Sequence, residues 1–123
     1  MQTPATTVLL VEDNEHFRTA LAELLSEHGY AVTVAESAEE GLEKLRASRF
    51  NLVLTDQQLP GQTGAGMLQE ARAAGLLADT GVRILTGHQN PVGTEGWKVL
   101  KKPIPSDELL REMALAAATQ GTG

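Results

Sequence analysis

The chain contains no cysteine, which excludes both a disulfide framework and a thiolate metal site. Aromatic residues are scarce: one Trp, one Tyr and two Phe make up 3% of the sequence. A core must therefore be built from Leu, Val, Ile and Ala, and the apolar fraction of 41% is near the globular norm, which argues against disorder. Basic charge is also in deficit. Ten Lys and Arg stand against sixteen Asp and Glu, a net charge of −6, so the chain lacks the basic stripe that binds a nucleic-acid backbone. No apolar run approaches a membrane span, and "MQTPATT" has neither the charged nor the apolar region of a signal peptide. These absences point to a cytoplasmic protein with no membrane partner and no direct nucleic-acid partner. At 123 residues the length suits one domain with a real core.

What is present alternates between strand and helix patterns. "VLLV" (Val8 to Val11) is a continuous apolar run, as expected of a strand covered on both faces. From Asn14 to His28, Phe17, Leu21, Leu24 and Leu25 recur at helical spacing, and Gly29 suits the C-terminal cap. "AVTVA" (Ala31 to Ala35) alternates and reads as a second, less buried strand. Ser37 with Glu40 matches a capping box, opening a helix that buries Ala38, Leu42 and Leu45. "LVLT" is the third strand, and Met67, Leu68, Ala71 and Ala74 mark a third helix closing near Gly75. "VRILT" (Val82 to Thr86) is the fourth strand and "WKVL" (Trp97 to Leu100) a short fifth. The last helix begins after Pro105, with Ser106 as N-cap and Asp107 and Glu108 at the positive end of its dipole. Its buried residues are expected to be Leu109, Leu110, Met113 and Ala117.

This alternation predicts an α/β fold, a doubly wound five-stranded parallel sheet with helices on both faces. One segment breaks the rhythm. "GHQNPVGTEG", between Thr86 and Trp97, is rich in Gly, is interrupted by Pro91 and is at the lower length limit for a crossover. The fourth helix is therefore expected to be shortened or missing. Residues 1–6 read as a flexible N-terminus, 7–118 as the domain and 119–123 as a flexible tail or linker stub.

In an open parallel sheet, ligands gather beyond the carboxyl ends of the strands. There the first strand runs into Glu12-Asp13, the third ends at Asp56, the fourth ends at Thr86 and the fifth runs into Lys101-Lys102-Pro103. Clustered carboxylates repel one another and favour a hard divalent cation with oxygen ligands, such as Mg²⁺ shared with a phosphate. An aspartate beside such a cation is placed to attack phosphorus. Lys102 and the Thr86 hydroxyl would then share the oxygens over which charge spreads. Taken alone, Asp56 before Pro60-Gly61 is an ordinary turn residue, and Glu12-Asp13 an ordinary helix cap. Their convergence favours the site. "GQTGAG" (61–66) fits neither the dinucleotide nor the P-loop fingerprint, and its glycines suit a turn and close helix packing.

With "LLVEDNEHFR", "LVLTDQQLPG", "ILTG" and "KKPI" in this order, the chain resembles the receiver domain of bacterial two-component response regulators from Val8 to about Ala118. The resemblance implies strand order 2-1-3-4-5. It implies Asp56 as phosphoacceptor, taking its phosphoryl group from the phosphohistidine of a histidine kinase or histidine phosphotransfer protein. Asp13 matches a direct metal ligand, Glu12 one acting through water, and the Gln58 backbone carbonyl a further ligand for Mg²⁺. Thr86 matches the hydroxyl that follows the phosphoryl group, and Lys102 the lysine of a Lys-Pro bond held cis, an isomer that costs little before proline. Lys101, of opposite parity in the strand, lies outside the site. Gln58 and His88 would flank the path of the hydrolytic water, making His88 a modulating residue. An output domain in a longer chain is a possible companion. Two departures fall on the usual output route: Val99 stands where the family has an aromatic, and the fourth crossover is short. They lend weight to a second reading, a phosphorylation-independent pseudo-receiver that works as a protein-binding module. A third, a metal-dependent phosphohydrolase, needs an acid two residues after the nucleophile, where this chain has Gln58. The chain therefore reads as a switch, not an enzyme acting on a separate substrate.

Overall fold

The computed structural model describes residues 5–88 and 93–119. Residues 1–4 and 120–123 of the expected flexible ends, and residues 89–92 of the irregular crossover, lie outside the described residues. The elements are β1 (Thr7–Val11), α1 (Glu15–Glu27), β2 (Ala31–Ala35), α2 (Ala38–Ala47), β3 (Leu52–Asp56), α3 (Gly64–Ala73), β4 (Gly81–Thr86), β5 (Val99–Lys101) and α4 (Ser106–Thr119). The strands form one parallel sheet in the order β2-β1-β3-β4-β5. Among the described residues no helix joins β4 to β5, in line with the expected shortened or missing fourth helix.

Strand periodicity divides the core in two. Leu9, Val11, Val53 and Ile84 face α2 and α3, packing with Leu42, Leu45, Met67, Leu68 and Ala71. Their alternates Val8, Leu10, Leu52, Leu54 and Leu85 face α1 and α4, packing with Leu21, Leu25, Leu109, Met113 and Ala116. The central strands β1 and β3 are covered on both faces and carry continuous apolar runs, β4 is buried over its last three residues, and β2, at one edge, leaves Val34 39% exposed. On the α1/α4 side a half-buried ion pair from Arg83 to Glu112 (3.0 Å) ties β4 to α4.

Side-chain caps fix three helix starts. Asn14 accepts from the Phe17 N–H (2.9 Å), Ser37 from the Glu40 N–H (3.1 Å) and Thr63 from the Gly66 N–H (3.0 Å). Helix α4 departs from expectation, because Ser106 is already helical. The Pro105 carbonyl accepts from the Leu109 N–H at 3.0 Å, so the ladder opens one residue earlier. Its inner face carries Ala116, and Ala117 is only half-buried. Ala74 is likewise an exposed C-cap and not a core residue. Strand β5 starts two residues later than the apolar pattern suggests, because Trp97 closes a turn through its N–H to the Thr94 carbonyl (3.0 Å).

The start of α3 presses on the end of β3. A Cβ at Gly64 would collide with the Asp56 carbonyl oxygen, and Thr55 Oγ1 lies 3.1 Å from the same point. Overpacking of this kind costs about 1–3 kcal/mol. Urea denaturation of Gly64→Ala should show a loss of that size. Gly87→Ala, where a Cβ meets nothing within 4 Å, should stay within about 0.5 kcal/mol of the wild type.

Candidate functional site: an acidic pocket at the strand ends

The sheet brings the chemistry-bearing residues to one edge. Glu12 directly follows β1, and its N–H bonds to the Ala35 carbonyl at 3.0 Å, extending the β1–β2 ladder by one residue. Asp56 is the last residue of β3 and pairs with Leu85 of β4. Thr86 ends β4, and its carbonyl accepts from the Lys102 N–H at 2.8 Å, which sets Lys102 beside it. The Lys102–Pro103 peptide is cis.

Glu12, Asp13 and Asp56 each offer a carboxylate oxygen, and these atoms all lie within 4.8 Å of one another. Glu12 (2% exposed) and Asp56 (5% exposed) are buried, while Asp13 faces solvent. Lys102 Nζ sits 2.9 Å from Asp56 Oδ1 and 3.1 Å from Glu12 Oε1. The contact with Asp56 is one of charge. Oδ1 is buried and accepts no well-aligned hydrogen bond among the described residues. A buried, under-bonded carboxylate oxygen beside two more acids fits a hard divalent cation with oxygen ligands.

The electrostatics follow from this crowding. Burial pushes the Glu12 carboxyl above its ordinary value of 4.5; the hydrogen bond from Lys102 opposes the rise, and the Asp56 charge adds to it. Burial alone would lower the Lys102 ammonium, but its close contacts with the Asp56 and Glu12 carboxylates and their charges outweigh that and raise it above 10.5. Lys102 is therefore a cation at neutral pH.

The loop residues take definite places. Thr86 Oγ1 is buried and accepts from the His88 N–H at 3.0 Å, while the His88 carbonyl accepts from Lys101 Nζ at 2.6 Å. Lys101 thus turns to the loop, away from Asp56. The Gln58 side chain is exposed at the head of the β3–α3 loop, and Val99 is half-buried against the α2/α3 side of the core. Two residues escaped the reading of the sequence. Gln57 is 1% exposed; its backbone carbonyl accepts from the Gly64 N–H (3.0 Å) and its side-chain Oε1 from the Ala65 N–H (2.8 Å). Phe17, assigned only to the core face of α1, lies with its ring 4.5 Å from Lys102 Nζ. A polar residue after a strand gave no sign of burial, because burial there depends on where α3 returns.

The parallel sheet and its acidic strand-end pocket define a doubly wound signalling domain. The chain belongs to the response regulator receiver domain family, whose model matches residues 8–114. It is thus a receiver domain of two-component systems, a signalling domain and not a classical enzyme. It is 32% identical over 114 residues to the transcriptional regulatory protein DltR of Streptococcus agalactiae serotype III, covering 88% of this chain and 50% of DltR. It is 32% identical over 113 residues to the hybrid signal transduction histidine kinase D of Dictyostelium discoideum, covering 84% of this chain and 7% of the kinase. The CheY-like receiver domain protein of Methanospirillum hungatei JF-1 superposes with a TM-score of 0.89 at 26% identity, covering 97% of this chain and 98% of that one. The chain spans about half the length of the first curated relatives it matches. Among the described residues no helix is long and apolar enough to cross a membrane.

The raised Glu12 carboxyl sets a pH dependence. As pH climbs through 4.5 toward the folded-state value, the unfolded chain gives up the Glu12 proton first, so ionisation of Glu12 costs stability. Without divalent cation, Glu12→Gln should melt higher than the wild type at pH 7. That advantage should fade as pH falls from the folded-state value toward 4.5 and be gone below it, as followed by thermal melts across pH.

Proposed function

We propose that this receiver accepts a phosphoryl group onto Asp56 from the phosphohistidine of a histidine kinase or histidine phosphotransfer protein, with Mg²⁺ as cofactor, and so switches partner interactions. The observation that carries the reading is the gathering of the Glu12, Asp13 and Asp56 oxygens within 4.8 Å, with Lys102 Nζ 2.9 Å from Asp56 Oδ1. Asp13, Asp56 and the Gln58 backbone carbonyl would hold the cation directly, and Glu12 through water. When bound, the cation supplies the positive charge that lets an anionic phosphodonor enter an acidic pocket.

The residues of the chain divide the remaining work. An Asp56 oxygen attacks phosphorus as the P–N bond to the donor imidazole breaks; the imidazole leaves with that electron pair. Lys102, held protonated between Asp56 and Glu12, turns its charge to the phosphoryl oxygens as negative charge spreads over them. Thr86 Oγ1 already accepts the His88 N–H, so its own proton is free for donation to a phosphoryl oxygen. The partners are a phosphodonor protein upstream and, in a longer chain, an output domain; the chain acts in the cytoplasm. A phosphorylation-independent pseudo-receiver is the second reading. Val99 in the family's aromatic position, and the lack of a helix between β4 and β5 among the described residues, favour it.

Acetyl phosphate with Mg²⁺ separates the two readings. Intact mass should show one added, hydroxylamine-labile phosphoryl group in the wild type and none in Asp56→Asn. A wild type that gains nothing, or a variant that gains as much, would sink the assignment. Once formed, the phosphoprotein should decay at an altered rate in Gln58→Ala and His88→Ala with little change in stability; unchanged decay in both would remove them from the water's path.

A further inference from the structure

We propose that Phe17 is a positioning residue for Lys102: its ring face holds the ammonium where it meets both Asp56 and Glu12. The kinetic consequence rests on Asp56 being the phosphoacceptor; the positioning itself does not. Lysine is poorly suited to being placed by carboxylates alone. It carries a compact, strongly hydrated charge on a flexible stem, with three donors free to rotate. Glu12 and Asp56 engage two directions of that ammonium, at 3.1 and 2.9 Å. The Phe17 ring, its centroid 4.5 Å from Nζ, covers a third. An aromatic face attracts a cation through its quadrupole and excludes water from that side, which strengthens the remaining charge contacts.

The ring is itself anchored. The Phe17 N–H bonds to Asn14 Oδ1 at 2.9 Å, which fixes the first turn of α1 next to the Glu12-Asp13 pair. The side chain is half-buried and packs against the α1/α4 side of the core. Placement of Lys102 thus draws on β1, β3 and the first turn of α1 together. The side chain remains 26% exposed, open to an incoming ligand on the side the ring and acids leave free.

The test compares Phe17→Leu, which keeps apolar packing but has no ring, with Phe17→Tyr, which keeps the ring. In the metal-free protein, the ε-methylene signal of Lys102 should lie upfield from ring current in the wild type and in Phe17→Tyr. In Phe17→Leu it should move to the ordinary lysine position, and its side-chain order parameter should fall. A Lys102 signal that is unshifted in the wild type, or equally ordered in Phe17→Leu, overturns the proposal whatever the phosphorylation result. The phosphorylation rate with acetyl phosphate and Mg²⁺ should drop about three- to ten-fold in Phe17→Leu and hold within about two-fold in Phe17→Tyr. Equal rates in Phe17→Leu and the wild type would overturn the catalytic consequence. A wild type that takes up no phosphoryl group, with the Lys102 signature intact, would reject the phosphoacceptor reading and leave the positioning established.

Discussion

Repulsion among like charges is the constraint on which this structure turns. Three carboxylates converge beyond the sheet, and among the described residues it is the Lys102 ammonium that ion-pairs with them, one positive charge against three acids. Two of those acids are almost wholly buried, so water screens them poorly. Such a cluster is stable only because apolar packing elsewhere holds the strand ends in place. It is left electrostatically unsatisfied by about the charge of one divalent cation. Charge crowding at this edge therefore opposes folding, and a cation bound there would relieve it.

The opposing force comes from the two core layers. Val8 through Val11 and Leu52 through Leu54 are fully or almost fully buried, so neither central strand can slip without turning its apolar residues to the wrong layer. Register in turn decides which residues meet at the edge. Asp56 stands opposite Leu85 and Thr86 opposite Lys101, which puts Lys102 one step beyond, with its N–H on the Thr86 carbonyl. A one-residue shift of β5 would bring Lys101 to that place.

Most of this was legible in the sequence where a local rule and the tertiary arrangement agree. The strand runs, the cap at Ser37 and the acids at strand ends are of that kind, because each is set by residues close in the chain, whereas the cap of α1 is Asn14 and not the Glu12-Asp13 pair. Legibility failed where a distant segment decides. Trp97 has a strand-former's side chain, yet the turn through Thr94 and Gly96 takes it out of β5. Ser106 is a good cap by type, but the Pro105 carbonyl opens the ladder before it. Gln57 and Phe17 show the same limit at the site. One is buried because α3 returns across it, and the other reaches Lys102 because α1 and the β5–α4 connection meet in space though they are far apart in sequence.

The bare backbone at Gly64 has a mechanical meaning. Over most of the core, helices meet the sheet through side chains, which rotate and absorb small displacements, although Gly81 of β4 also lies bare against the Ala116 carbonyl of α4. At Gly64 there is no such cushion: the first residue of α3 rests directly against the Asp56 carbonyl, and the Gln57 carbonyl and side chain accept from the N–H groups of Gly64 and Ala65, the first two of the helix. The peptide that carries the central carboxylate and the N-terminus of α3 consequently behave as one rigid piece. A movement of either reaches the other without slack.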